Sequence, residues 1–253
     1  MKISFVGAGP GAPDLITVRG KELLEKADII VYAGSLVNPA LLEYAKEDCE
    51  IYNSATMTLE AVMEVMIKGH KAGKKVVRLH TGDPSVYGAI REQMDILDEG
   101  NIEYEVCPGV SALFGAAASL NLEYTLPGIS QTLIVTREEG RTPVPENEGL
   151  INLAKAQASM AIYLSAGLLP SVQDKLLKGG YKEDTPAAIV YKATWPEEKI
   201  MYCTVGTLEK TGRENNIKNT AIILVGEAIK ASQYERSKLY SPDFSTGFRE
   251  ASK

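Results

Sequence analysis

KISFVGAGPGAPDLITVRGKELLEKADIIVY, residues 2–32, decides the fold. Ile3 to Gly7 reads as a buried strand. Thr17 to Lys26 carries Val18, Leu23 and Leu24 at helical spacing, and Asp28 to Tyr32 reads as a second strand. A strand, a helix and a strand joined this tightly form the opening of a mostly parallel sheet with helices on its faces.

The alternation continues outward. Pro39 to Ala45 predicts a short helix. Leu59 to Lys71 predicts an amphipathic helix with Val62, Met63, Met66 and Ile67 on one face. Lys75 to Leu79 reads as a strand, Val86 to Leu97 as a helix, Glu103 to Cys107 as a strand and Val110 to Leu120 as a helix of small residues. Glu123 to Gly128 reads as a linker. Beyond it, strands are expected at Thr132–Thr136, Met160–Leu164, Ala187–Tyr191, Ile200–Thr204 and Ala221–Val225. Helices are expected near Gly149–Ala156, Leu168–Leu177 and Thr207–Lys210. Glu138 to Gly149, rich in Gly, Pro and charge, is expected to be an exposed loop. The reading is α/β: two α/β domains, residues 1–122 and 130–231, with a tail at 232–253 that lacks periodicity.

Composition bounds the function. The 253 residues are 45% hydrophobic and 24% charged, the balance of a globular protein able to bury its own core. No apolar run approaches the roughly 18 residues that cross a bilayer, and the N-terminus opens a strand at once without a signal-peptide pattern. A cytoplasmic protein is expected. The net charge of −6 argues against a nucleic-acid partner. The three cysteines, Cys49, Cys107 and Cys203, form no CxxC pair, and only His70 and His80 are present, so no metal site is expected.

Three strand ends are punctuated by Gly and Pro. The first, Val6-Gly7-Ala8-Gly9-Pro10-Gly11-Ala12-Pro13-Asp14, satisfies the Gly-x-Gly-x-x-Ala form of a dinucleotide fingerprint. Pro10 and Pro13, however, remove N–H donors that phosphate cradling uses, and Val31-Tyr32-Ala33-Gly34-Ser35 offers no acid for a ribose. A tight structural turn is the bland alternative. The second, Thr81-Gly82-Asp83-Pro84-Ser85-Val86-Tyr87-Gly88, reads as a helix start, with Asp83 as N-cap and Pro84 at the first helical position. The third is Cys107-Pro108-Gly109-Val110-Ser111-Ala112, where Ser111 is placed to cap a helix or to meet a ligand. Parallel sheets bind ligands at such strand ends, so the three loops point to one crevice. Trp195, in Tyr191-Lys192-Ala193-Thr194-Trp195-Pro196, reads as packing ahead of substrate recognition, and Met160 reads as core by default.

Together, the first loop with Asp14-Leu15-Ile16-Thr17, Gly82-Asp83-Pro84, Pro108-Gly109-Val110-Ser111-Ala112 and Thr185-Pro186-Ala187-Ala188 resemble, in order and spacing, the tetrapyrrole (corrin/porphyrin) methylases over residues 1–228. Within that family, Val31 to Pro39 and Thr136 to Pro145 resemble the branch that methylates precorrin-4 at C-11. The Ala33-Gly34 step departs from the Tyr/His-Asp step of the uroporphyrinogen-III branch. The resemblance implies a cofactor cleft between the two α/β domains holding S-adenosylmethionine, with S-adenosylhomocysteine as product. It also implies a carboxylate-rich tetrapyrrole substrate from vitamin B12 synthesis and a homodimer. Carried over motif by motif, it implies cofactor contacts at Pro10, Gly82, Asp83, Val86, Ser111, Ala112, Met160, Ala193 and Ala221. Arg137, Arg141 and Tyr87 are the candidates for substrate binding, because guanidinium groups hold carboxylates bidentately.

Methyl transfer from a sulfonium is a direct displacement governed by alignment, so no residue is expected to act as an indispensable catalyst. Three readings compete with this one. Another methylation step of the same family, on uroporphyrinogen-III or precorrin-3B, would use a similar cleft. A nicotinamide-dependent oxidoreductase would rest on Gly7-x-Gly9-x-x-Ala12 alone, and a non-catalytic adenosyl-ligand sensor would bind without turnover.

Overall fold

The structure is a computed structural model that describes residues 2–252. It divides into two compact units. The first holds residues 2–119 together with Lys192–Lys199, and the second holds Leu120–Tyr191 and residues 200–252. The boundary at 119/120 falls just ahead of the expected linker. The return of Lys192–Lys199 to the first unit has no counterpart in the sequence reading.

In the first unit, β1 (Ile3–Gly7), β2 (Ile29–Tyr32), β3 (Glu50–Asn53), β4 (Val76–His80) and β5 (Tyr104–Cys107) form one sheet in the order β3-β2-β4-β1-β5. Every pairing in it is parallel. Alternating residues go to opposite faces. Val6, Ile30, Val77 and Leu79 join Leu24 of α1 (Val18–Lys26) in one core. Ile3, Phe5, Ile29, Val31 and Val76 join Val62, Met63 and Met66 of α2 (Leu59–Lys71) and Leu97 of α3 (Arg91–Glu99) in the other. The helix starts are chemically marked. Thr17 Oγ1 accepts from Gly20 N at 3.0 Å, and Thr58 Oγ1 accepts from Ala61 N at 3.3 Å. α4 (Ala112–Leu120) follows β5.

Two first-unit elements differ from the sequence reading. β3 is an edge strand with mostly exposed residues, so it lacks the apolar run that signals a strand. The helix expected from Val86 starts only at Arg91. Tyr87 (φ 56°) and Ala89 (φ 49°) take left-handed backbone, which interrupts helix formation across residues 84–90.

In the second unit, β6 (Leu133–Arg137), β7 (Ser159–Tyr163), β8 (Pro186–Tyr191), β9 (Lys199–Thr204) and β10 (Ala221–Val225) lie in the order β6-β7-β10-β8-β9. β6 and β7 run parallel, while β10 is antiparallel to both β7 and β8. α5 (Leu150–Ala154), α6 (Leu169–Lys178) and α7 (Leu208–Glu214) cover one face, packing Leu169, Val172, Leu176 and Leu208 on Ile162, Ile189 and Ile223. The expected linker has no regular structure but is anchored, with Tyr124 and Leu126 buried and Ser159 Oγ donating to the Tyr124 carbonyl at 2.7 Å. In the tail, the Arg249 guanidinium donates to the carbonyls of Leu239, Ser241 and Phe244. Among the described residues no helix is long and apolar enough to cross a membrane.

Candidate functional site

The order β4-β1-β5 sets three parallel strands side by side, so their C-terminal loops emerge from one edge of the first sheet. These are the three Gly/Pro-punctuated loops of the sequence. They are joined by their backbones. Ala8 N donates to His80 O at 2.7 Å, Gly9 N to Gly82 O at 3.2 Å and Gly82 N to Gly9 O at 2.8 Å. Gly7 and Gly109 touch so closely that a Cβ on either would overlap the other and the Gly82 carbonyl.

Asp83 locks the second loop to the third. One carboxylate oxygen accepts from Ser85 N at 2.9 Å and from the Ser85 hydroxyl at 2.5 Å, and the other accepts from Gly109 N at 2.8 Å. Partial burial opposes its charge, but the three donors outweigh that and hold the carboxyl below the usual aspartate range. The N-cap assignment is therefore corrected: no helix begins at Pro84. Asp83 instead closes a turn and bridges two loops.

Beneath the second loop, on the same face of β4, lie the buried Arg78 and His80. Arg78 Nε donates to Gln93 Oε1 at 3.2 Å and Nη1 to Val31 O at 3.1 Å, while Gln93 Nε2 donates to Ala89 O at 3.0 Å. This chain ties the left-handed turn at residue 89 back to the sheet. Burial lowers the Arg78 guanidinium to about 10. His80 stacks on Phe5 with ring centroids 6.2 Å apart, and its buried Nε2 has no hydrogen-bond partner among the described residues. Burial, with a smaller contribution from the Arg78 charge, pushes the imidazole down to about 3, so it is neutral at physiological pH.

Of the expected cofactor contacts, Pro10, Gly82, Asp83, Ser111 and Ala112 lie on these loops, and Ala193, in the segment between β8 and β9, shares the first unit with them. Gly82 lies against Ser111 and Ala112, and Gly11 lies against the Ala193 carbonyl. Val86 follows in the Asp83 turn, its N–H donating to Asp83 O at 3.2 Å. Met160 and Ala221 belong to the second unit. Met160 is wholly enclosed in that unit's core, in register with Ile134 and Val225. Ala221 opens β10 opposite Tyr191 and is half-buried.

The substrate candidates are divided between the two units. Tyr87 is 45% exposed on the left-handed turn of the first unit. Arg141 is exposed in the second. Arg137 braces its own loop, its guanidinium donating to Thr142 O at 3.1 Å and Pro143 O at 2.7 Å. Glu138, expected in an exposed loop, is 3% exposed; it accepts from Ser171 Oγ at 2.9 Å and Lys175 Nζ at 2.5 Å. Arg137→Ala is expected to cost about 1.5 kcal/mol, the scale of hydrogen bonds to a charged donor, and to make residues 138–143 the first cut in limited proteolysis. Arg137→Lys should not restore protection, because an ammonium lacks the guanidinium fork. A wild-type cleavage pattern in the alanine variant would remove the bracing role.

Sequence reasoning missed the partners of the first loop. Thr194 Oγ1 accepts from Ala12 N at 2.9 Å, Trp195 Nε1 donates to Pro10 O at 3.2 Å and Asn38 Nδ2 donates to Gly11 O at 2.9 Å. The lone tryptophan is a signal in the sequence, and its ring lies against Gly11. Nothing local to Thr194 or Asn38 announces contacts 182 and 27 residues away.

The chain matches the family of tetrapyrrole (corrin/porphyrin) methylases over residues 2–209. A cobalt-precorrin-4 C(11)-methyltransferase of Methanocaldococcus jannaschii is 53% identical over 252 residues, covering 100% of this chain and 97% of that relative. A precorrin-4 C(11)-methyltransferase of Pseudomonas aeruginosa is 44% identical over 240 residues, covering 95% of each. The solved structure of a cobalt precorrin-4 methyltransferase, a cobalamin biosynthetic enzyme, superposes with a TM-score of 0.89 at 47% identity, covering 91% of this chain and 96% of that one.

Proposed function

The chain belongs to the tetrapyrrole (corrin/porphyrin) methylases, and from that premise we propose that it transfers a methyl group from S-adenosylmethionine to C-11 of precorrin-4, in its cobalt form, during cobalamin biosynthesis. The observation that carries this is identity of 53% along the whole chain to a relative named for that reaction. The relative named for the cobalt-free substrate is less similar, at 44%, which favours the cobalt form.

The donor set of the three loops fits such a cofactor. Residues 7–15, 81–88 and 107–115 contain no Lys or Arg, and Asp14 and Asp83 are their only charged side chains. A pyrophosphate would meet no cation there and would face an ionised Asp83, whereas a phosphate-free sulfonium meets a favourable charge. When bound, S-adenosylmethionine supplies a methyl whose bond to sulfur breaks as the bond to carbon forms, sulfur keeping the electron pair. Pro10, Gly82, Asp83, Val86, Ser111, Ala112 and Ala193 hold and orient it in this reading. Alignment by such a rigid cradle is worth roughly 7–11 kcal/mol of barrier, and no proton-transfer residue is required of the chain. Arg137, Arg141 and Tyr87 are the proposed contacts to substrate carboxylates, and a homodimer is part of the same proposal.

Incubation with labelled S-adenosylmethionine and either precorrin-4 or cobalt-precorrin-4, followed by mass spectrometry and NMR, tests the reading. One added methyl at C-11, faster on the cobalt form, is expected. A methyl at another position, or transfer only to an earlier intermediate, would move the enzyme to a different step of the family. Light scattering should give twice the chain mass of 27.4 kDa; a monomer would remove the dimer from the proposal.

A further inference from the structure

The segment between β8 and β9 is costly to fold on its own. Lys192 (φ 46°) and Thr194 (φ 67°) both take left-handed backbone, and residues with side chains hold that conformation only where their surroundings fix it. Within the first unit, the surroundings are the first glycine loop and α4. The Trp195 indole N–H donates to Pro10 O at 3.2 Å. Its ring fills the space a side chain at Gly11 would need, since a Cβ there would lie 2.1 Å from the indole Cδ1. Thr194 Oγ1 accepts from Ala12 N at 2.9 Å. Glu198 Oε2 accepts from Thr194 N and from Ser119 Oγ of α4, both at 2.6 Å, so the segment is tied at its far end as well. Lys192 Nζ lies 5.0 Å from the centroid of the Trp195 ring.

The consequence falls on the first loop. Gly9 N and O are paired with Gly82, Pro10 has no N–H, and its carbonyl, the Gly11 carbonyl and the Ala12 N–H are all engaged by Trp195, Asn38 and Thr194. With these groups occupied, the loop meets a ligand chiefly as a shaped surface, and that shape depends on the clasp.

We propose that Trp195, with Thr194, is a positioning clasp that holds the Gly9–Ala12 loop in the form that binds S-adenosylmethionine, and so determines cofactor affinity and not the rate of methyl transfer. The proposal rests on reading the first loop as part of the cofactor site. Trp195 is the only tryptophan of the chain, so its fluorescence reports on the loop directly.

The test is titration of wild type, Trp195→Phe, Trp195→Ala and Thr194→Val with S-adenosylhomocysteine by calorimetry, with indole emission followed in the wild type. Trp195→Phe keeps an aromatic ring but removes the N–H together with the five-membered ring that lies against Gly11, and Thr194→Val keeps the methyl group that packs near Gly115 but removes the acceptor. Each should bind about tenfold more weakly, the scale of one net hydrogen bond, and Trp195→Ala more weakly still. The KM for S-adenosylmethionine should rise in parallel while kcat at saturation stays within twofold. Wild-type emission should change on titration and saturate at the calorimetric Kd. If the wild type binds and the Phe and Val variants, folded by circular dichroism, bind equally well, the clasp is overturned. A fall in kcat at unchanged Kd, or wild-type emission unmoved at saturation, also overturns it. If the wild type fails to bind S-adenosylhomocysteine at all, the cofactor reading of the loop fails first.

Discussion

Gly109→Ala is expected to lower the melting temperature by about 10 °C and to abolish measurable binding of S-adenosylhomocysteine. A Cβ at residue 109 would lie 2.2 Å from the Gly82 carbonyl oxygen and 2.7 Å from Gly7 Cα. Both neighbours are backbone, at the ends of β4 and β1, so no side chain can rotate aside. The loops have to separate, stretching the paired Gly9–Gly82 hydrogen bonds and the Gly109 N–Asp83 bond of 2.8 Å. Overpacking of this kind costs about 3 kcal/mol at the top of its usual range, which for a chain of this length corresponds to about 10 °C. Gly247→Ala, where nothing lies within 4 Å, is the control and should leave both quantities unchanged. Differential scanning calorimetry and isothermal titration decide it. A Gly109→Ala protein with wild-type stability and affinity would show that the three loops are not one rigid unit.

Acidification is expected to destabilise the fold well above the pH at which carboxylates protonate. His80 titrates at about 3 in the folded protein against an ordinary value of 6.5, because burial, aided by Arg78, disfavours the imidazolium. The unfolded chain therefore binds the extra proton throughout the interval between these values. Stability is complete above about pH 6.5 and falls as pH drops toward 3, by up to roughly 1.4 kcal/mol per pH unit. Between pH 7.5 and pH 5 the loss is about 2 kcal/mol, and over the whole interval roughly 5 kcal/mol. Asp83, whose value is lowered from 3.8, adds its own loss only as pH falls below about 4, outside the comparison between pH 7.5 and 5. Urea unfolding of wild type and His80→Leu at pH 7.5 and 5.0 isolates the effect. The variant should lose most of the pH dependence whatever its absolute stability, and equal slopes in the two proteins would refute the assignment to His80.

Much of the scaffold was legible because it follows from spacing. Ile3–Gly7 is a short, mostly apolar run that ends at a glycine, and Leu59–Lys71 carries a helical period; both signals are local, and both elements occupy those residues. β3 was invisible because an exposed edge strand needs no apolar pattern. The helix start at Pro84 was misread because a good cap sequence says nothing of what else competes for the cap. Asp83 has Gly109 as a partner 26 residues away, and the turn that follows takes left-handed backbone at Tyr87 and Ala89. Glu138 and Arg137 looked like the charges of a solvated loop, yet Ser171 and Lys175 enclose one and the carbonyls of residues 142 and 143 take the other.

By itself, the sequence determined that β1, β4 and β5 are parallel strands ending in loops of small residues without Lys or Arg, because local propensity and the absence of those cations are properties of each segment alone. Only the tertiary structure decided that those three strands are neighbours, that Asp83 joins the second loop to the third, and that Trp195 and Thr194 close over the first. Strand order and clasping depend on pairings between residues from 26 to 185 positions apart. Such pairings form only when the whole chain is compact enough to offset their loop-closure entropy, and no window of sequence carries that information.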